Sequence, residues 1–157
     1  MAIPTSIIRL ARPADAPLLA ALSRDTIEAG LPWRYREPEM LRFMRSPRYN
    51  VIVAEGEGAL AGFAVMGYGP TEAYLALLAV DSAQRRRGIG RRMLDWLLKT
   101  ADVAGIEAIS VELREDNAVA HRLYGSLGFV ASGLRPGGYY GVVNQTRMSL
   151  RLRPPGA

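Results

Sequence analysis

Residues 72–115 hold the pattern that restricts the fold most. "EAYLALLAV" (72–80) is a short, bounded apolar run, the mark of a strand buried in the middle of a sheet. After a polar loop, "RRMLDWLLKTADVAG" (91–105) sets Met93, Leu94, Leu97, Leu98 and Ala101 in one helical stripe, and Gly105 supplies the stop. "EAISVELRE" (107–115) then alternates, with Ile109, Val111 and Leu113 on one side and Ser110, Glu112 and Arg114 on the other. Strand, helix and strand in this order form a crossover over residues 74–114. Such a crossover lays its two strands parallel and is nearly always right-handed.

The flanking segments make the class mixed α/β, with antiparallel hairpins early. "SIIRLA" (6–11) reads as a strand, and "RPADAPLLAALSRDTIEAG" (12–30) as a helix with Asp15 as N-cap, Pro17 in the first turn and Gly30 at the close. Leu18, Leu19 and Leu22 recur there at helical spacing. "EPEMLRFMRS" (37–46) is a second helix, with Pro38 at its start and Pro47 just past its end. "NVIVAEGEGALAGFAVMGYG" (50–69) reads as a hairpin around Gly56-Glu57-Gly58. "DNAVAHRLYGSLGF" (116–129) is a helix capped by Asp116 or Asn117 and stopped near Gly128. "FVASGLR" (129–135) and "TRMSLRL" (146–152) are the last strands. With 157 residues, 49% of them apolar and 22% charged, the expectation is one domain over residues 1–152 and a frayed tail over 153–157.

Composition narrows the chemistry. There is no cysteine, so disulfides, thiolate metal sites and a cysteine nucleophile are excluded. His121 is the one histidine, and zinc chemistry or a Ser-His-Asp triad would rest on it alone, so no metal is expected. No segment approaches the ~20 apolar residues of a membrane span. The opening "MAIPTSIIRLARPADAP" lacks a signal-peptide layout, and the expected setting is cytoplasmic, without a membrane partner. A net charge of +5 and an isoelectric point near 10.0 favour an anionic partner.

That charge gathers in "VDSAQRRRGIGRRML" (80–94), where five arginines surround Gly88 and Gly90. The loop joins the buried strand to the start of the helix. The first N–H groups of a helix have no internal partner, and their dipoles attract an anion. Glycine lets a phosphate approach the main chain, and arginine adds charge-assisted bonds to phosphate oxygens. The bland alternative is a turn with solvated arginines. The loop lacks the Gly-Lys-Ser/Thr of a nucleotide P-loop and the third glycine of a dinucleotide fingerprint. Nucleic acid is disfavoured, because the arginines crowd one loop and no aromatic residues are interleaved with them.

Two blocks, "LALLAVDSAQRRRGIGRRMLDWLLKTA" and "VELREDNAVAHRLYGSLGF", together resemble the GCN5-related N-acetyltransferases (GNAT). The first resembles that family's Arg/Gln-x-x-Gly-x-Gly/Ala loop, as Arg85-Arg86-Arg87-Gly88-Ile89-Gly90. The second resembles its Asn…Tyr…Leu-Gly-Phe segment, as Asn117, Tyr124 and Leu127-Gly128-Phe129. The resemblance implies a GNAT fold: a mixed, mostly antiparallel central sheet with a parallel strand pair at the cofactor cleft, flanked by helices. It implies acetyl-CoA as cofactor and direct attack by an amine in a ternary complex. By the same resemblance, the amides of residues 86–91, Arg91 included, hold the CoA pyrophosphate. Main-chain groups of Leu78, Ala79 and Val80 align the pantetheine and the acetyl carbonyl, Asn117 bonds the pantetheine arm, and Tyr124 protonates the departing thiolate. Spacing agrees on geometry: Asn117, Ala120 and Tyr124, at i, i+3 and i+7, share one helix face.

The acceptor side is read from Glu112, five residues before Asn117 on the polar side of its strand. One GNAT branch, the bacterial ribosomal-protein alanine N-acetyltransferases, resembles this chain at Glu112-Leu113-Arg114-Glu115-Asp116-Asn117, which implies the glutamate as general base. Glu72 is the second choice, and His121 reads as surface or supporting. The same branch is similar at Leu31-Pro32-Trp33 and at Arg135…Tyr139-Tyr140, which implies Trp33, Tyr139 and Tyr140 on the acceptor side, where Glu72 is also expected from its place before the central strand. It differs in placing acidic residues after the tyrosine pair, where this chain has Asn144-Gln145. The implied acceptor is an amine, either a protein N-terminus or a small molecule such as a polyamine or amino-sugar. A non-catalytic acyl-CoA sensor is the alternative, and a homodimer is left open.

Overall fold

A computed structural model describes residues 7–56 and 58–156. Its strands are β1 (Ile7–Leu10), β2 (Tyr49–Gly56), β3 (Ala59–Tyr68), β4 (Glu72–Val80), β5 (Ala108–Arg114), β6 (Val130–Tyr139) and β7 (Val143–Arg151). They form one sheet in the order β1-β2-β3-β4-β5-β7-β6. Neighbours run antiparallel except β4 and β5, which are parallel and joined through a helix, as the crossover pattern requires. The helices are α1 (Ala16–Asp25), α2 (Glu37–Arg45), α3 (Ile89–Val103) and α4 (Ala118–Ser126). Among the described residues no helix is long and apolar enough to cross a membrane.

The sheet carries a core on each face. Met93, Leu94 and Leu97 of α3 and Tyr124 of α4 pack on Ala64, Met66, Leu75 and Val111. Leu19 of α1 and Met40 of α2 pack on Val53, Phe63, Val65 and Leu77. Successive residues of β3 therefore enter opposite cores, which is why its sequence reads as a nearly unbroken apolar run.

The first helix departs from expectation. Pro13–Asp15 form a 3-10 turn, α1 ends at Asp25, and Leu18 is exposed. Asp15 stands before α1 but does not cap it, because its carboxylate turns back to accept from Arg9 at 2.8 and 3.1 Å and from the Arg12 N–H at 2.7 Å. Beyond Asp25, the Glu28 N–H donates to the Ser23 carbonyl and the Ser23 hydroxyl to the Glu28 carboxylate, which folds the chain out of the helix. Gly30 closes that turn, not the helix, at φ 77°.

The last hairpin is longer than its pattern suggests. β6 runs to Tyr139 and β7 starts at Val143, with positive φ at Tyr140 and Gly141 in the turn. Pro136, Gly137 and Gly138 hide the strand from propensity, and the register slips between Arg135 and Tyr139. Ser6 of the first expected strand, Glu57 of the hairpin turn and Ala157 of the tail lie outside the described residues. Arg153, in the tail, donates to the Asp102 carboxylate at 2.6 Å.

Candidate active site

The β4–β5 ladder runs from Glu72↔Ala108 to Leu75↔Val111 and ends there, although β4 continues to Val80 and β5 to Arg114. A bulge helps to part the strands. Val65 pairs with Leu77 and Met66 with Leu75, so Ala76 has no opposite number on β3. Residues 76–80 thus turn an edge without a partner strand toward the gap, at the carboxyl ends of the two parallel strands, where ligands of open α/β sheets collect.

The expected anion loop follows at that same end. After Val80, residues Ser82–Gln84 make a 3-10 turn and Gly88 forms the N-cap of α3 in the left-handed region at φ 74°. Arg86 also has a positive φ, of 66°. A Cβ added at Gly88 would meet nothing within 4 Å, so the backbone there is bare to solvent. Gly90 serves packing instead: a Cβ would touch Leu123 at 3.4 Å and Val80 at 3.6 Å, where α3 approaches α4 and β4. Arg85, Arg86 and Arg87 are exposed, and Arg87 donates to the Gln84 side chain at 3.1 Å. Ile89 is buried as the first residue of α3, and Arg91 lies in its first turn.

Two adjoining cavities meet at the gap, and the larger runs back over the paired stretch of β4 and β5. The smaller, about 80 Å³, brings Leu78, Asn117, Ala120 and Tyr124 onto one wall, as the helical spacing requires. Asn117 caps α4 by accepting from the Ala120 N–H at 3.1 Å. Tyr124 is 3% exposed and meets Phe129 edge-on at 5.4 Å. Burial, and then the Tyr139 phenol, push its pKa well above the ordinary tyrosine value, so the hydroxyl stays protonated throughout the neutral range.

The larger cavity, about 520 Å³, holds Glu72, Tyr139 and Tyr140, and Glu112 lies in the wall that the two cavities share. Glu112 accepts from the Gln145 side-chain amide at 2.6 Å, and its carbonyl accepts from the Tyr139 hydroxyl at 2.9 Å. Gly138 permits the first of these bonds. A Cβ there would lie 2.5 Å from the Gln145 Cβ and Oε1. Burial, and then the Glu112 charge, push Tyr139 up to about 12.

Trp33 and His121 line neither cavity. Trp33 packs on the core beneath α1 and α2, with the Arg36 and Arg24 guanidiniums 4.3 and 5.3 Å from its ring centre. Sequence reasoning missed Glu28, which is 2% exposed. Its carboxylate accepts from the Ser23 hydroxyl at 2.9 Å, the Arg34 N–H at 2.6 Å and the Tyr140 hydroxyl at 3.0 Å. One buried side chain thereby ties the α1–α2 loop to the β6–β7 turn beside the larger cavity. Burial and this bond to Glu28 raise the Tyr140 pKa. A lone acid in "TIEAG" sends no periodic signal, and only the tertiary contacts reveal it.

Residues 17–129 match the model of the acetyltransferase (GNAT) family. The chain is 37% identical over 137 residues to an uncharacterized protein of Mycobacterium leprae, covering 83% of itself but only 36% of that protein. It is 36% identical over 136 residues to the N-alpha-acetyltransferase RimI of Mycobacterium tuberculosis, covering 84% of itself and 82% of that protein. Among solved structures, it is similar to the ribosomal-protein-S18-alanine N-acetyltransferase of Escherichia coli, with TM-score 0.81, 28% identity and 96% of each chain covered.

Proposed function

The chain belongs to the acetyltransferase (GNAT) family, and on that premise we propose that it transfers acetyl from acetyl-CoA to the α-amine of a protein N-terminus. The observation that carries this reading is the shared wall: Glu112 faces both cavities, and Tyr124 lines the smaller one. An amine in the larger cavity and a thioester in the smaller one would meet there. The names of the M. tuberculosis and E. coli relatives support an α-amine as acceptor.

The residues present fit the cofactor. The bare Gly88 backbone, the amides of Ile89, Gly90 and Arg91 ahead of the first intrahelical bond, and the exposed arginines suit a pyrophosphate. The partnerless edge of residues 76–80 suits an extended amide arm, as a further strand would. When bound, acetyl-CoA supplies an acetyl thioester. Glu112 takes the proton of the incoming ammonium, directly or through water. The neutral amine would then bond to the acetyl carbon as the carbon–sulfur bond breaks, Tyr124 would give its proton to the departing sulfur, and the second proton shed by the nitrogen would pass through water and restore the Tyr124 hydroxyl. An α-amine with pKa near 8 costs only ~1–1.5 kcal/mol to deprotonate at neutral pH, against ~4–5 kcal/mol for a lysine amine. A carboxylate is base enough for the former.

Thiol release from acetyl-CoA, measured with N-terminal peptides, polyamines and amino-sugars, tests the reading. Turnover is expected with peptides, and acetyl-CoA is expected to raise the Tm by linkage. Turnover confined to polyamines or amino-sugars would reject the N-terminal acceptor. Binding without turnover would make the protein an acyl-CoA sensor.

A further inference from the structure

Taking acetyl transfer to an amine as the activity, we propose that the acceptor carries a carboxylate beside its amine, held in the larger cavity by Arg34, Arg135 and Arg147. These guanidiniums come from three elements: the α1–α2 loop, β6 and β7. Among the described residues none of the three forms an ion pair, whereas Arg9, Arg24, Arg114 and Arg153 each hold a carboxylate. Two of the nearby carboxylates are already hydrogen-bonded, and the third lies at the other end of the cavity. Glu28 is occupied by hydroxyl and main-chain donors. Arg147 stands directly opposite Glu112 in the β5–β7 ladder, yet the Glu112 carboxylate bonds to Gln145. Glu72 sits at the far end of the β4–β5 ladder, ~10 Å along the strand from the Leu75↔Val111 pair.

Like charges that line one cavity repel each other, and an anion between them relieves that repulsion. Arg34 is already oriented, since its N–H is bonded to Glu28 and its guanidinium lies 3.8 Å from the centre of the Tyr140 ring. The cavity is therefore bipolar. Glu112 takes the amine at the wall shared with the smaller cavity, and the arginines take a carboxylate one or two residues further along the acceptor. A volume of about 520 Å³ is ample for both groups.

The test is thiol release from acetyl-CoA with three peptides that share an N-terminal alanine and differ at the next two positions: Glu-Glu, Gln-Gln or Lys-Lys. Free glutamate is the fourth acceptor. The acidic peptide is expected to exceed the neutral one about tenfold in kcat/KM, the size of one hydrogen bond to a charged group. The gain should sit in KM and shrink with salt. Replacing both arginines of the hairpin, Arg135→Gln with Arg147→Gln, should bring the KM of the acidic peptide to that of the neutral one. A preference for free glutamate over every peptide supports the carboxylate requirement and assigns it to a small acceptor. Measurable turnover with equal or better use of the Gln-Gln or Lys-Lys peptide overturns the carboxylate proposal and leaves acetyl transfer standing. Acetyl-CoA binding with no thiol release from any acceptor overturns acetyl transfer itself.

Discussion

Tyr124 shows what one residue contributes when its surroundings set its proton affinity. Its ring fills the core at the foot of α4, and burial keeps its hydroxyl protonated. Tyr124→Phe keeps the ring and its edge-on contact with Phe129. The expected outcome is a fall in kcat on the order of 10²-fold, typical of a lost general acid, with the acetyl-CoA thermal shift unchanged. An unaltered kcat would remove Tyr124 from the reaction. Glu112→Gln is expected to lower the rate so that activity follows the free-amine fraction of the peptide. A pH–rate profile identical to that of the parent would move the base to Glu72 or to water. At this scale Asn117 and Tyr124 were legible because helical spacing alone puts them on one face. Glu28 and Gln145 were not, since their importance lies in partners 112 and 33 positions away along the chain.

Among the elements, the strand-to-helix corner before α3 depends on backbone conformation more than on charge. Gly88 holds φ at 74° with open space around the missing Cβ. Gly88→Ala should therefore meet no steric clash but incur left-handed strain of ~1–2 kcal/mol. Two readouts are expected: a modest fall in Tm, and a rise in the KM for acetyl-CoA that exceeds any rise for the peptide. Equal changes in both KM values would point to general loosening of the fold. The corner was readable from its glycines and arginines because strand end, loop and helix start are contiguous. The β6–β7 hairpin was readable only in part. Its outer strand β6 is exposed along much of its length, and the glycines and proline there contradict strand propensity even where the ladder forms.

The whole molecule responds to pH through groups its fold has desolvated or paired. Tyr139 and Tyr74 are pushed up to about 12, and Tyr124 and Tyr140 are raised further, all chiefly by burial. An unfolded tyrosine ionises near pH ~10, so their contribution is fully present below that pH and is lost as pH rises through the folded values. The Tm is expected to decline above pH ~10. A Tm that held steady to about pH 12 would contradict this. Asp15 works in the opposite direction. The Arg9 hydrogen bond holds its carboxyl below the ordinary range, so that stability is present above the ordinary value and is lost as pH falls through the folded one. Asp15→Asn is expected to lower the Tm at neutral pH and to flatten the acid limb of the Tm profile.

The sequence by itself determined the local and contiguous features. The 3.6 and 2.0 periodicities place α3 and β5, a short bounded apolar run places β4, cap and stop residues place α4, a crossover of that length compels a parallel pair, and the glycine corner reads as a candidate anion site. Those features follow from the chain's own stereochemistry over a few tens of residues. Only the tertiary structure decided how the strands order themselves, where the β4–β5 ladder stops, that a buried glutamate ties two loops together, and that Glu112, the Gln145 amide and three arginines without an ion pair among the described residues line one cavity. Each of these turns on partners distant in the chain, and no local pattern encodes which of several equally polar residues will face another across a gap.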